Sequence, residues 1–188
     1  NQSLLYIFIT SKKNLILVLP TLNEATELYN EVKTYVDDVY LFPEDDIITK
    51  TSIAVSPELL FMRANLLNKI NDDTRKIVIV HLNSFIKKLP SKNKYNKNRI
   101  SFKKGTKINR EELINKLIEI GYKRESIVYN TSDFSVRGFV IDIYPIEENH
   151  PIRLELFDEE IEKIKYFDEY TQKSIEEIDE ISIGPIKD

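Results

Sequence analysis

The sequence predicts two domains of different class, a parallel α/β half followed by a smaller α+β half with one main helix on an antiparallel sheet. Three observations lead there. In the first half, short continuous apolar runs alternate with amphipathic helical stretches, and strands covered by helices on both faces of a parallel sheet read as such runs. In the second half, one helical stretch is followed only by strand patterns and turns. Between them, residues 91–98 (SKNKYNKN) are polar, rich in turn formers and without an apolar period, which places the boundary there. The domains expected are 1–97 and 98–188.

Each element of the first half follows from local signals. Leu15–Leu19 (LILVL) is apolar throughout and ends at Pro20, the pattern of a strand buried in a parallel sheet. Thr21 caps a helix and Glu24 completes a capping box, with Leu22, Ala25, Leu28, Tyr29 and Val32 on its apolar face. Val39–Phe42 is a second strand that stops at Pro43. Ser56 and Pro57 open a helix running to about Ile70; Pro57 takes the first helical position, where an N–H is not needed. Leu59, Leu60, Arg63, Leu66 and Leu67 recur along it at helical spacing. Residues 77–80 (IVIV) are a third buried strand and residues 83–89 a short helix, which completes a βαβαβ pattern.

In the second half, residues 100–104 form a strand. Asn109 caps a helix with Glu112 as its box partner, Leu113, Ile114, Leu117 and Ile118 make the apolar face, and Gly121 ends it. Strand patterns follow at 139–144, 152–157, 161–167 and 181–183. In Ile152–Phe157, alternation puts Ile152, Leu154 and Leu156 on one face and Arg153, Glu155 and Phe157 on the other. The first set suits a core. The second, a cation, an anion and an aromatic in a row, suits a protein-binding surface better than a solvated one.

Composition narrows the function classes. Of 188 residues, 41% are hydrophobic and 31% charged, the balance of a globular chain rather than a disordered one. The absence of cysteine excludes a disulfide framework and a Cys-based zinc site, and fits a cytoplasmic location. No apolar run approaches the roughly 20 residues of a membrane span, and residues 4–9 are too short and lack the basic flank of a signal peptide. The start at Asn1, without methionine, reads as a trimmed chain or a part of one. A net charge of −4 does not suit a general nucleic-acid binder. The charge is uneven, however: residues 87–107 hold nine lysines and arginines without an acid, and residues 147–188 are strongly acidic. The basic run is either a lysine-rich linker or a surface of its own, including one with weak DNA contact that a steep salt dependence would reveal.

No catalytic, cofactor-binding or metal-ligating residue is expected. A phosphate loop needs glycines for close backbone approach, a lysine and a Ser/Thr; the four glycines stand at 105, 121, 138 and 184, none in the α/β half. His81, at the end of an apolar run, reads as structural, and His150, in a turn before Pro151, as exposed. The acid pairs Asp45-Asp46 and Glu159-Glu160 have no nucleophile or base beside them. Arg137 and Arg153 stand where a strand begins or is about to begin. The residues alone leave two readings for Arg137, Arg153 and Phe157: interface anchors, or an exposed sheet face with internal pairing of the Arg153–Glu155 kind.

The run Ser135-Val136-Arg137-Gly138, then Ile141-Asp142-Ile143-Tyr144-Pro145, then Ile152 to Asp158, then Ile161-Glu162 and Tyr166-Phe167-Asp168 resembles the second domain shared by two bacterial repair proteins, the transcription-repair coupling factor (Mfd) and the excision-repair subunit UvrB. The ending, Thr171 to Glu176 and Ile183-Gly184-Pro185, is similar to the coupling factor in particular, so the chain is identified with the N-terminal UvrB-like region of that family. The resemblance implies a degenerate, partial RecA-like domain lacking the P-loop, then a UvrA-binding domain. It implies that Arg137, Arg153 and Phe157 contact the damage-recognition ATPase UvrA, with Glu155 on the same face and Arg124 as a further basic contact; Ser135 replaces another arginine of UvrB. Recruitment of UvrA to RNA polymerase stalled at DNA damage would be the function, on a surface masked in the resting protein by another domain. ATP, magnesium, DNA and RNA polymerase would be bound by other parts of an ATP-dependent translocase. UvrB carries a long tyrosine-rich hairpin where residues 43–56 make a short connection without aromatics, and so without a stacking platform for bases. Two readings stand beside this one: a fragment of UvrB itself, and a small α/β enzyme.

Overall fold

The computed structural model describes residues 2–11, 13–43, 57–70, 73–86, 89 and 91–187. The chain divides into two compact units, Asn1–Leu89 and Pro90–Asp188.

In the first unit, α1 (Gln2–Ser11) precedes β1 (Leu15–Leu19), α2 (Leu22–Lys33), β2 (Val39–Phe42), α3 (Pro57–Lys69), β3 (Ile77–His81) and α4 (Leu82–Phe85). The strands form an all-parallel sheet in the order β1-β3-β2. The capping box at α2 is complete, with the Thr21 hydroxyl accepting from the Glu24 N–H and the Glu24 carboxylate accepting from the Thr21 N–H. Its apolar face packs Ala25, Tyr29 and Val32 onto Val39, Leu41, Ile77 and Ile79, joined by Leu15, Leu17 and Leu19. β1 is not buried on both faces as its unbroken apolar run predicts: Ile16 is 61% and Val18 42% exposed. The reason is that α2 covers only the Leu15, Leu17 and Leu19 side of β1. His81 is buried, with its ring Nδ1 2.8 Å from the Ser84 hydroxyl. Ser56, the expected cap of α3, Asp45-Asp46 and most of the 43–56 connection lie outside the described residues.

The second unit runs α5 (Lys92–Lys97), β4 (Ile100–Lys103), α6 (Arg110–Glu119), β5 (Lys123–Arg124), β6 (Asp133–Arg137), β7 (Val140–Ile143), β8 (Ile152–Phe157), β9 (Glu160–Phe167), β10 (Ser174–Ile178) and β11 (Glu180–Ile183). Six strands form one sheet in the order β10-β9-β8-β7-β6-β5, antiparallel except where β5 joins β6, and β11 pairs with β4. The unit begins at Pro90 rather than at residue 98. Residues 91–98 hold the short helix α5, and their one aromatic, Tyr95, is buried and donates to the Pro185 carbonyl at 3.3 Å. The polar stretch is therefore tied to the far end of its own unit. Asn109 caps α6 by accepting from the Glu112 N–H. Gly121 follows the last turn at φ +103, where a Cβ would stand 3.0 Å from Ile186 and Lys187 side-chain atoms; both the backbone angle and the space call for glycine. The inner face of the sheet carries Phe134, Ile141, Ile143, Ile152 and Leu154, all without exposure. Among the described residues no helix is long and apolar enough to cross a membrane.

Candidate protein-docking face

Strand register builds the outer face of the six-stranded sheet row by row. Ser135 on β6 stands opposite Asp142 on β7, Asp142 opposite Arg153 on β8, and Arg153 opposite Lys165 on β9. The next row is Arg137, Val140, Glu155 and Lys163. Beyond it lie the Gly138-Phe139 turn of the β6–β7 hairpin and Phe157 at the end of β8, joined by the Leu156 N–H donating to the Phe139 carbonyl at 2.8 Å. Alternation along β8 is as the sequence predicts: Ile152, Leu154 and Leu156 are buried, Arg153 and Glu155 half-buried, and Phe157 exposed.

Asp142 organises this face. It has no exposed surface, and its carboxylate accepts from Arg137 Nη2 at 2.6 Å, Arg153 Nε at 2.7 Å and Arg153 Nη2 at 2.9 Å. A buried carboxylate needs such partners, because unpaired it would lose its hydration without replacement. The two arginines differ in what remains free. The Arg153 side chain is 16% exposed; it also donates to the Gln172 carbonyl and side-chain oxygens at 3.4 and 3.1 Å and lies 4.3 Å over the Phe167 ring. Hydrogen bonding to Asp142 raises its pKa further, against the opposing effect of burial. The Arg137 side chain is 48% exposed and gives one bond to Asp142, which leaves most of its donors facing outward.

The internal Arg153–Glu155 pairing, one of the two readings the residues left open, is not formed. Arg153 pairs with Asp142, and Glu155 accepts from Lys165 Nζ at 2.7 Å. Ser135 is buried, and its hydroxyl makes no hydrogen bond. Arg124 does not join the cluster. It is exposed on β5 at the edge of the sheet, in register with Phe134 and so on the row of Ile143 rather than of Asp142. His150 is half-buried rather than exposed, with Nδ1 3.7 Å from Glu169. The sequence reading missed Asp142 as the hub, although its place as the one acid inside an apolar strand run was the available signal. It also missed Phe139, assigned there to a strand but held in a turn at 59% exposure.

Elsewhere, the first unit has an apolar groove of about 240 Å³ whose polar lining is Asn14, Lys76 and Ser84. These groups are engaged internally: Asn14 accepts from the Lys76 N–H, Lys76 Nζ donates to Thr74, and Ser84 meets His81. No group of His, Asp or Glu among the described residues could hold a metal ion.

Residues 100–188 match the UvrB interaction domain family. The chain is 35% identical over 183 residues to the transcription-repair-coupling factor of Staphylococcus haemolyticus strain JCSC1435, covering 96% of this chain and 16% of that protein. It is 31% identical over 180 residues to that of Bacillus subtilis strain 168, covering 95% and 15%, respectively. The chain thus spans about a sixth of the length of the curated relatives it matches.

Proposed function

The chain belongs to the transcription-repair-coupling factor family, and on that premise we propose that it is a recruitment module that docks UvrA. The coupling factor would present the outer face of the antiparallel sheet after RNA polymerase stalled at a lesion has been displaced. One observation carries the reading. Arg137, half-exposed, and Phe157, 76% exposed, stand on a face where Arg153 is paired with Asp142 and Glu155 with Lys165. Arginines and aromatics are the residues that most often anchor interfaces, and the Phe157 ring lies mostly outside the fold. A surface of this kind suits masking by another domain of the same protein when repair is not required. ATP hydrolysis, DNA translocation and polymerase binding belong, in this proposal, to other parts of the coupling factor.

Calorimetry of the chain with purified UvrA tests the reading, beside Arg137→Ala and Phe157→Ala. Arg153→Ala is a poor probe, because it removes two of the three bonds to a buried carboxylate. Binding by the wild type that each substitution weakens by roughly 2 kcal/mol, the scale of an interface anchor, supports recruitment through this face. A folded wild type that does not bind UvrA refutes it.

A further inference from the structure

We infer that Phe139 is a second aromatic anchor of the docking face, so that the partner must offer two apolar recesses with an acidic group beside them. The inference rests on the recruitment reading and names UvrA as the occupant.

Four observations support it. Gly138 and Phe139 close the two-residue hairpin between Arg137 and Val140, with Gly138 at φ +57. Such a turn requires a glycine at its first position but only an ordinary backbone at the second, where a short polar residue serves. The ring at 139 is therefore not needed to make the turn, yet it is held 59% exposed. Second, the β8–β9 hairpin turns at the same end of the sheet, between Phe157 and Glu160, and the bond from the Leu156 N–H to the Phe139 carbonyl fixes the two tips side by side. Third, Phe157 is itself 76% exposed. Two large apolar rings at the same end of the sheet, one in the β6–β7 turn and one at the end of β8, present exposed apolar surface beside charge, the form that marks an interaction site. Fourth, Arg137, next in sequence to the Gly138-Phe139 turn, spends one hydrogen bond on Asp142 and stays half-exposed. It offers a carboxylate of the partner a fork of remaining donors. The patch is thus continuous with the face proposed for UvrA, and its charge selects an acidic site.

The test adds Phe139→Ser and Phe139→Tyr to the UvrA calorimetry. Serine suits the turn, so the fold is expected to hold; hydrogen exchange of the β6–β7 amides checks it. The expected result is a loss of affinity of about tenfold or more for Phe139→Ser, the scale of an interface anchor, with Phe139→Tyr close to wild type. Affinity of Phe139→Ser within about twofold of wild type, while Arg137→Ala or Phe157→Ala still weakens binding, overturns the second anchor and leaves recruitment standing. Failure of the wild type to bind overturns both.

Discussion

Replacing Asp142 by alanine is expected to loosen the second unit by about 3 kcal/mol. Truncating one partner of a buried ion pair strands the other, typically at about 3–5 kcal/mol. Here two cations lose their anion, but unequally. Arg137, at 48% exposure, can turn to water, so its pair counts as a surface pair of under about 1 kcal/mol. Arg153, at 16% exposure, cannot, although it retains the Gln172 oxygens and the Phe167 ring. The lower end of the range follows. Asp142→Asn keeps the shape and one acceptor but turns an NH2 toward a guanidinium, for a smaller loss of about 1.5–3 kcal/mol. Because two units need not unfold together, a single melting curve is a poor measure. Native-state hydrogen exchange of the β7 and β8 amides reads the opening of this sheet directly. An Asp142→Ala effect below about 1 kcal/mol would refute the view that the carboxylate holds the face together.

Three further outcomes follow from the geometry. Gly121→Ala should destabilise the second unit by about 1–3 kcal/mol, since alanine at φ +103 is strained and its Cβ meets Ile186 and Lys187; hydrogen exchange in α6 measures it, and protection equal to wild type would contradict it. Thr21→Ala should lower protection in α2 by about 1 kcal/mol and leave β8 and β9 unchanged, because the box closes only the first unit's helix. The Asp168 carboxylate accepts from the Thr171 and Tyr170 N–H groups, chiefly the former, and is held below its ordinary pKa. Its contribution to the 168–172 turn is therefore full above about pH 3.9 and lost as pH falls through the lower folded value. An NMR titration of the Thr171 amide with a midpoint at or above about pH 3.9 would contradict this.

What could be read from the sequence was what is set by neighbours along the chain. Thr21 with Glu24, Asn109 with Glu112, and Gly121 act within a few residues, and the alternation in Ile152–Phe157 reports burial directly. β10 escaped because an edge strand exposed at nearly every position has no alternation to show, and β5 because two residues carry no period. The burial of Tyr95 within the polar 91–98 stretch is not legible locally, since its hydroxyl bonds to the Pro185 carbonyl at the far end of the unit. That Arg153 pairs with Asp142 rather than with Glu155 has the most instructive cause. Residues two apart on one strand share a face but are farther apart than residues directly opposite across a ladder, whose Cβ atoms stand about 4.5–5.5 Å apart. Arg153 faces Asp142 across β8 and β7, and that register is invisible until the strands are paired.

The buried carboxylate also separates folding from docking. An apolar set of similar volume at a buried ion pair is often as stable as the pair or more so, so sheet stability alone does not call for Asp142 and Arg153. What the ions add is orientation: Asp142 fixes the guanidiniums of both arginines, and Arg137 keeps its outward donors aimed from that anchor. The variant Asp142→Leu/Arg153→Met tests this division. It should regain most of the protection lost in Asp142→Ala, because no charge is left stranded on β8. It should still bind UvrA weakly, because Arg137 has lost the group that aims it. Recovery of both stability and affinity would mean that Arg137 needs no aiming and that the ion network serves the fold alone. Recovery of neither would mean that the stranded cation was not the source of the loss.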